Sequence, residues 1–271
     1  MTGPFRLAGI CRRFAPSVTS GAGPPADSDV FRPSGHPAAA VDLPYRECNE
    51  RMNVMKRLPP ALPKDLPICS DLAGAVEACL NAGDDVTDRH FLSGALSGSF
   101  TSRMEFRRCR FDGVRLSGCR FGRTDFVDVV FADCDLSGAE MSGCGFLRCR
   151  FENCKGVGTG FVHSPMRHVS FEGGPFRLAN FSETPFKQVA FAGCDLSEST
   201  FLQCTAEGLS FDACRLVKIN FCRTKLAGLD LSSNELEGIL VSGDELRDAI
   251  VSPLQAVELA RLLGIKIKDG I

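Results

Sequence analysis

From Phe91 to Val251 an apolar residue returns at every fifth position of the chain. Of these 33 positions, 30 are Phe, Leu, Met or Val, the exceptions being Thr101, Gly156 and Ala206, and 17 of the 21 Phe share this single phase. A second register two residues upstream is mostly small, running Cys109, Val114, Cys119, Thr124, Val129, Cys134, Ala139, Cys144, Cys149, Cys154 and, later, Cys194, Ser199, Cys204, Leu209 and Cys214. Nine of the 14 Cys fall in it. Neither the 3.6-residue period of a helix nor the 2-residue period of a strand holds a five-residue spacing on one side for so long. Five residues must therefore complete one corner, a short extended piece followed by a right-angle turn. Four corners close a square coil of 20 residues with both registers pointing inward. Phe111, Phe131, Phe151, Phe171, Phe191 and Phe211 then stack as one column of the structural core. With coils about 4.8 Å apart, roughly eight of them make a rod about 38 Å long. Burial of each Phe contributes roughly 1.5–3 kcal/mol, each coil depends mainly on its neighbours, and both ends need caps.

The segments FRRCRFDGVRLSGCRF, FADCDLSGAEMSGCGF and FAGCDLSESTFLQC carry this alternation most plainly. They resemble the pentapeptide-repeat proteins, whose consensus is a small residue, a polar one, Leu or Phe, and two variable residues. The resemblance covers residues 91–251 and implies an all-β fold, a right-handed quadrilateral β-helix.

Outside the repeat the pattern changes. Residues 1–51 include VTSGAGPPADSD and FRPSGHPAAA, rich in Pro, Gly and Ala without apolar periodicity; they read as a disordered extension. MNVMKRLPPALPKDLP makes Met52 a natural beginning, and residues 52–90 read as an N-terminal cap region in which CSDLAGAVEACLNAG fits either a short amphipathic helix or irregular coils. Residues 252–271 are clearer. Ser252 with Gln255 forms a capping box, Pro253 suits the first helical position, and Gly264 closes a helix. Ala256, Leu259, Ala260 and Leu263 share one face; Leu254, Val257 and Leu262 widen it, leaving Gln255, Glu258 and Arg261 as a narrow polar stripe. Such a helix can seal the end of the coils and also meet the same helix of a second copy, with Leu254, Val257, Leu259, Leu262 and Leu263 as the contact and IKI after Gly264 as an added strand.

Composition adds mainly exclusions. The chain of 271 residues is 44% hydrophobic and 24% charged with a formal net charge of −2, so neither direct nucleic-acid binding nor a strongly acidic partner is expected. No apolar run approaches a membrane span and no secretory segment opens the chain, so a cytoplasmic location is expected. The repeat Cys recur in multiples of five, unlike the two-to-four spacing of zinc ligands, and directly stacked pairs such as Cys134 with Cys154 or Cys194 with Cys214 are poorly oriented for disulfides. They read as small buried hydrophobes, leaving Cys222, which points outward, as the reactive-thiol candidate. Gly156, Val157, Gly158, Thr159 and Gly160 lack the Lys-Ser/Thr and the helix of a phosphate loop and read as a narrow or loosened coil. His163 and His168 read as surface residues on adjacent sides of the square. No nucleophile is accompanied by a base and an orienting group. The chain is not expected to be an enzyme, and no catalytic, metal or cofactor-binding residue is expected.

Function then falls to the outward positions. One side carries Asp112, Asp133, Glu152, Glu172 and Asp212 as a loose acidic ladder, relieved by Arg110 and Arg150; the side beginning at Phe106 carries Arg107, Arg108, Arg148, Arg167 and Lys187. Residues 88–125 hold eight bases and four acids, whereas residues 126–251 hold 11 bases and 17 acids. Three stretches, LPPALPKDLP, KLAGLDLSSNELEG and SPLQAVELARLLGIKI, resemble the Gram-positive members of the quinolone-resistance, or Qnr-type, group of this family. That resemblance implies a homodimeric rod, joined through its C-terminal helices, that binds DNA gyrase or topoisomerase IV as an imitation of duplex DNA and protects it from fluoroquinolones. Duplex DNA carries one charge per about 1.7 Å, roughly 22 over a 38 Å rod. Residues 88–251 set 19 bases against 21 acids, so mimicry would rest on local ladders and rod shape. The alternative is a protein–protein interaction scaffold with another cytoplasmic partner.

Overall fold

The computed structural model describes residues 57–100, 104–262 and 264–268. The extension over 1–51 and the choice of Met52 as a beginning lie outside them. Within the described residues the chain winds as a parallel β-solenoid of about seven turns with two short helices. Strands β1 (Ile68–Cys69), β2 (Val86–Leu92), β4 (Glu105–Asp112), β6 (Asp125–Val127), β8 (Gly145–Leu147), β10 (Met166–Glu172), β11 (Pro185–Ala192) and β12 (Thr205–Asp212) follow one another across a parallel sheet. Strands β7 (Val130–Ala132) and β9 (Arg150–Glu152) continue it where a coil is broken into two short pieces, and β3 (Ser99–Phe100) pairs with β5 (Arg120–Phe121) alone. Single parallel bridges hold the remaining sides, from Ala95 with Arg115 to Asp230 with Ile250. Most partners are 20 residues apart, such as Phe106 with Phe126 and Phe171 with Phe191.

Among the described residues nearly every corner is turned by the residue two beyond the inward one, Ser233 excepted, in the left-handed conformation: Arg108 (φ 50), Gly113 (φ 62), Gly118 (φ 69), Arg123 (φ 52) and Asp128 (φ 55) are successive examples. Glycine does this freely, whereas Arg or Asp meets a steric cost of about 1–2 kcal/mol. The surrounding ladder holds them there.

The inward register builds the core. Phe91, Phe111, Phe131, Phe151, Phe171 and Phe191 are fully buried, and Phe211 is 3% exposed. Their rings stack at centroid distances of 5.0, 5.1, 4.8, 4.5, 4.5 and 5.3 Å in turn. The small register does more than fill space. The thiols of Cys134, Cys149 and Cys154 donate to the carbonyls of Phe111, Phe126 and Phe131, each 23 residues earlier; the hydroxyls of Thr184 and Thr224 do the same to Phe161 and Phe201, and the Asn234 amide to Phe211. Cys, Ser and Thr interchange there because each satisfies a buried carbonyl that the coil ladder leaves with a free lone pair.

The register is not unbroken. Ser99 pairs with Arg120 and Phe100 with Phe121, an offset of 21, while Ala95 with Arg115 and Glu105 with Asp125 keep 20. Phe100 therefore takes the ladder position assigned above to Thr101, which lies outside the described residues. Gly98, at φ 106, brings the chain in one residue early, its carbonyl accepting from Arg120 N–H at 3.0 Å. Nor is the coil at Gly156 loosened: the fully buried Phe176 ring of the next coil fills the space, and a Cβ at Gly156 would lie 2.3 Å from it.

Both ends are capped. Helix α1 (Leu72–Ala82) starts at Asp71, whose carboxylate accepts from Gly74 N–H at 2.9 Å, and stops at Gly83 (φ 73); Leu72 and Val76 are buried against the first coil. Parallel pairing already begins at β1, ahead of Phe91. At the other end a 3-10 turn, Asp244–Leu246, takes the place of a straight side. Glu245, 6% exposed, accepts from the backbones of Arg223 and Ser242. Helix α2 (Pro253–Leu262) follows, with the capping box formed as expected: Ser252 N–H donates to Gln255 Oε1 at 2.7 Å and Gln255 N–H to Ser252 Oγ at 3.3 Å.

Candidate interaction surfaces

With the interior filled, the sites to consider lie on the outer faces and the ends. The acidic ladder is one column at Asp112, Glu152, Glu172 and Asp212, with Ala132 and Ala192 between them. Asp133 stands outside it, exposed on the adjoining corner at φ 52. The column is not a bare row of carboxylates. His90 Nε2 lies 2.6 Å from Asp112 Oδ2, and Arg110 holds Asp112 at 2.9 Å and reaches Glu152 at 3.7 Å. Arg150 holds Glu152 at 3.1 Å and reaches Glu172 at 3.6 Å. Burial pushes the Asp112 carboxyl up, but hydrogen bonds from Arg110 and His90 outweigh it and leave it below its ordinary value. Bases and acids thus alternate along this face, and Asp212, which accepts from Ser233 Oγ at 3.0 Å, is the end of the ladder without such an arginine.

The side read as basic is likewise compensated at its corner. Arg108 grips Asp88 through two bonds of 2.6 Å, and Arg148 grips Asp128 through bonds of 2.5 and 2.6 Å. Asp128 is 5% exposed. Burial pushes its carboxyl up, yet the hydrogen bonds from Arg148 and from Ala61 N–H hold it below its usual value. The bond from Ala61, 2.9 Å long, belongs to a feature that periodicity could not reveal. Residues 57–67 run back along the rod as a Pro-rich strap: Leu58 N–H donates to His168 Nδ1 at 3.4 Å, Ala61 reaches Asp128 two coils earlier, and the Pro67 carbonyl accepts from His90 N–H at 3.0 Å.

His168 is therefore not a surface histidine. It is 8% exposed, and burial first, then the charges of Arg167, Arg148, Lys187 and Arg57, holds its pKa below 6.5. His163 does lie at the surface, 3.7 Å from Glu183. Among the described residues no group of His, Cys, Asp and Glu is arranged to hold a metal ion. Burial pushes the Cys144 and Cys149 thiols up to about 12 and those of Cys109, Cys119 and Cys204 up to about 11, so these are not thiolate nucleophiles. Cys222 is partly exposed.

Helix α2 sorts the proposed dimer residues. Leu259 is 7% exposed and packs into the chain's own core, so it is not free for a partner. Leu254, Val257 and Leu262 are 82%, 37% and 50% exposed, and Ile265 and Ile267 continue that surface; Leu263 lies outside the described residues. Gln255, read as part of the polar stripe, turns inward instead, its amide donating to the carbonyls of Leu231 at 2.9 Å and Asn234 at 2.7 Å. It thereby satisfies the free edge of the last coil.

Comparison with known proteins bears on this architecture. The family model described as "Pentapeptide repeat region" matches residues 124–191. The chain contains a pentapeptide-repeat region. Parallel pairing continues the same repeat beyond the matched segment in both directions. No curated protein matches the chain. Among solved structures, a trypsin-treated variant of QnrB1, a plasmid-mediated fluoroquinolone resistance protein, is 18% identical over 68% of this chain and 100% of that one, with a TM-score of 0.39. Full-length QnrB1 is 20% identical over 68% and 91%, with a TM-score of 0.31. HetL, a pentapeptide repeat protein involved in heterocyst differentiation regulation in the cyanobacterium Nostoc sp. strain PCC 7120, is 13% identical over 66% and 94%, with a TM-score of 0.26. No helix among the described residues is long and apolar enough to cross a membrane.

Proposed function

We propose that this pentapeptide-repeat protein works without catalysis, as a cytoplasmic homodimer that binds DNA gyrase or topoisomerase IV. The observation that carries a binding role is the complete use of the interior for packing, with the Phe column from Phe91 to Phe191 fully buried. Only outer faces and ends remain to meet another molecule. Dimerisation is supported by the apolar side chains that α2 leaves exposed, a patch of the kind that marks protein contacts. The topoisomerase partner is supported by the likeness of LPPALPKDLP, KLAGLDLSSNELEG and SPLQAVELARLLGIKI to the Qnr-type group. Arg110 and Arg150 sit inside the acidic column and neutralise much of it, so imitation of duplex DNA rests on rod shape more than on net charge. We therefore expect modest protection against fluoroquinolones.

The test is gyrase supercoiling in the presence of a fluoroquinolone, with the full chain titrated in. Partial rescue, or inhibition of supercoiling without drug, is expected at micromolar protein. Neither effect at that concentration favours the second reading, a scaffold for a different protein, which the same charge balance along the ladder supports.

A further inference from the structure

We propose that the outer face of residues 105–107, 125–127, 145–147, 165–167 and 185–187 is a docking groove for an extended protein segment bearing a base at one end and an acid at the other. This does not depend on the topoisomerase reading, since neither the acidic column nor α2 contributes to it. The groove has a volume of about 470 Å³, within the roughly 300–1,000 Å³ of ligand clefts. Its floor is the backbone at Phe126, Phe146 and Met166, whose side chains are buried inward. Its apolar middle is Val127, Leu147, Pro165 and Pro185, and the Asp125 carboxylate leans over Gly145, where a Cβ would lie 2.3 Å from Oδ1.

Outward apolar side chains occur on other sides too, Leu92, Leu178 and Leu240 among them, but here Val127, Leu147, Pro165 and Pro185 line one groove together. The ends differ in sign. Glu105 and Asp125 lie at one, Arg167 and Lys187 at the other. Glu105 is ion-paired with Arg107, yet burial, with Asp85 and Asp125 stacked on either side, keeps its carboxyl above its ordinary value. An incoming cation relieves that crowding. Lys187 pairs with Glu207 at 2.9 Å, and Arg167 is exposed. Asp125 and Lys187 are three coils apart, about 14 Å at the usual strand spacing, which four residues of extended chain span. Opposite charges at the two ends fix the direction of the bound segment, and the apolar middle contributes most of the contact.

Selection from a displayed library of random dodecapeptides on the full chain tests this. The expected peptides carry Lys or Arg and Asp or Glu three to five residues apart with apolar residues between, and they bind Leu147→Asp at least about tenfold more weakly. Val127→Asp replaces that variant if it does not keep the wild-type melting temperature. Arg167→Glu with Lys187→Glu makes both ends acidic and should shift the selected peptides to a base at each end. Absence of selected peptides, binding insensitive to Leu147→Asp and Val127→Asp, or the same peptides from wild type and the double variant overturns the proposal.

Discussion

At the scale of single residues, the decisive physical event is the burial of one large apolar side chain per corner. Phe151 shows it best, fully buried between Phe131 at 4.8 Å and Phe171 at 4.5 Å. Phe151→Asp places an unpaired carboxylate on the axis, where burying a charge is costly, and removes a packed ring worth about 3–5 kcal/mol. The expected outcome is loss of at least that much stability in chemical denaturation, or an insoluble product; an unchanged midpoint would place Phe151 outside the core. The inward phase was legible in the sequence because it repeats over many coils. The hydrogen-bonding role of the small register was not, because periodicity reports which way a side chain points but not which carbonyl it meets. The one-residue slip at Phe100 was hidden for a similar reason: Leu96 and Phe106 keep the phase on both sides of it.

Among elements, the strap and α2 depend on contacts far apart in sequence. The strap rests partly on neutral His168, which can accept from Leu58 N–H only while Nδ1 is unprotonated. Proton balance sets the sign. Because the His168 pKa is held below 6.5, the released state takes up a proton first as pH falls. Its contribution is complete above about pH 6.5 and is lost as pH drops from there toward the lowered value. Amide exchange at Leu58 and Ala61 should accelerate between pH 7.5 and pH 5.5 beyond the intrinsic pH effect, and His168→Gln should abolish that excess; identical profiles would contradict the role of the histidine.

Helix α2 separates two roles that the sequence merged. Leu254→Arg is expected to halve the mass in light scattering while leaving the melting temperature unchanged, whereas Leu259→Arg should destabilise the terminal coils. Unchanged mass for Leu254→Arg would remove the dimer contact. The helix and its cap were readable from Ser252, Gln255 and Gly264. Which of its faces met the coil was not, because Gln255 turns inward to two orphan carbonyls, a demand set by the last coil rather than by the helix.

For the whole molecule, inside and outside are sorted by one rule, and everything proposed about function concerns the outside. Many of the charges there are paired with residues on the next coil or the one after, as Arg148 is with Asp128 and Arg110 with Glu152. The sequence showed both signs on each face but not their pairing, so the acidic ladder looked more exposed than it is. The apolar groove at Val127 and Leu147 was not legible, because outward apolar residues occur on other sides as well and only the stacking of coils sets these two beside Pro165 and Pro185. The most direct test of the inside–outside rule is native thiol labelling with a maleimide, resolved site by site by mass spectrometry. Cys109, Cys119, Cys134, Cys144, Cys149, Cys154, Cys194, Cys204 and Cys214 are buried, while Cys222 is partly exposed. Cys222 should label at least about a hundredfold faster than those nine; comparable rates in the native protein would mean that the repeat does not point inward.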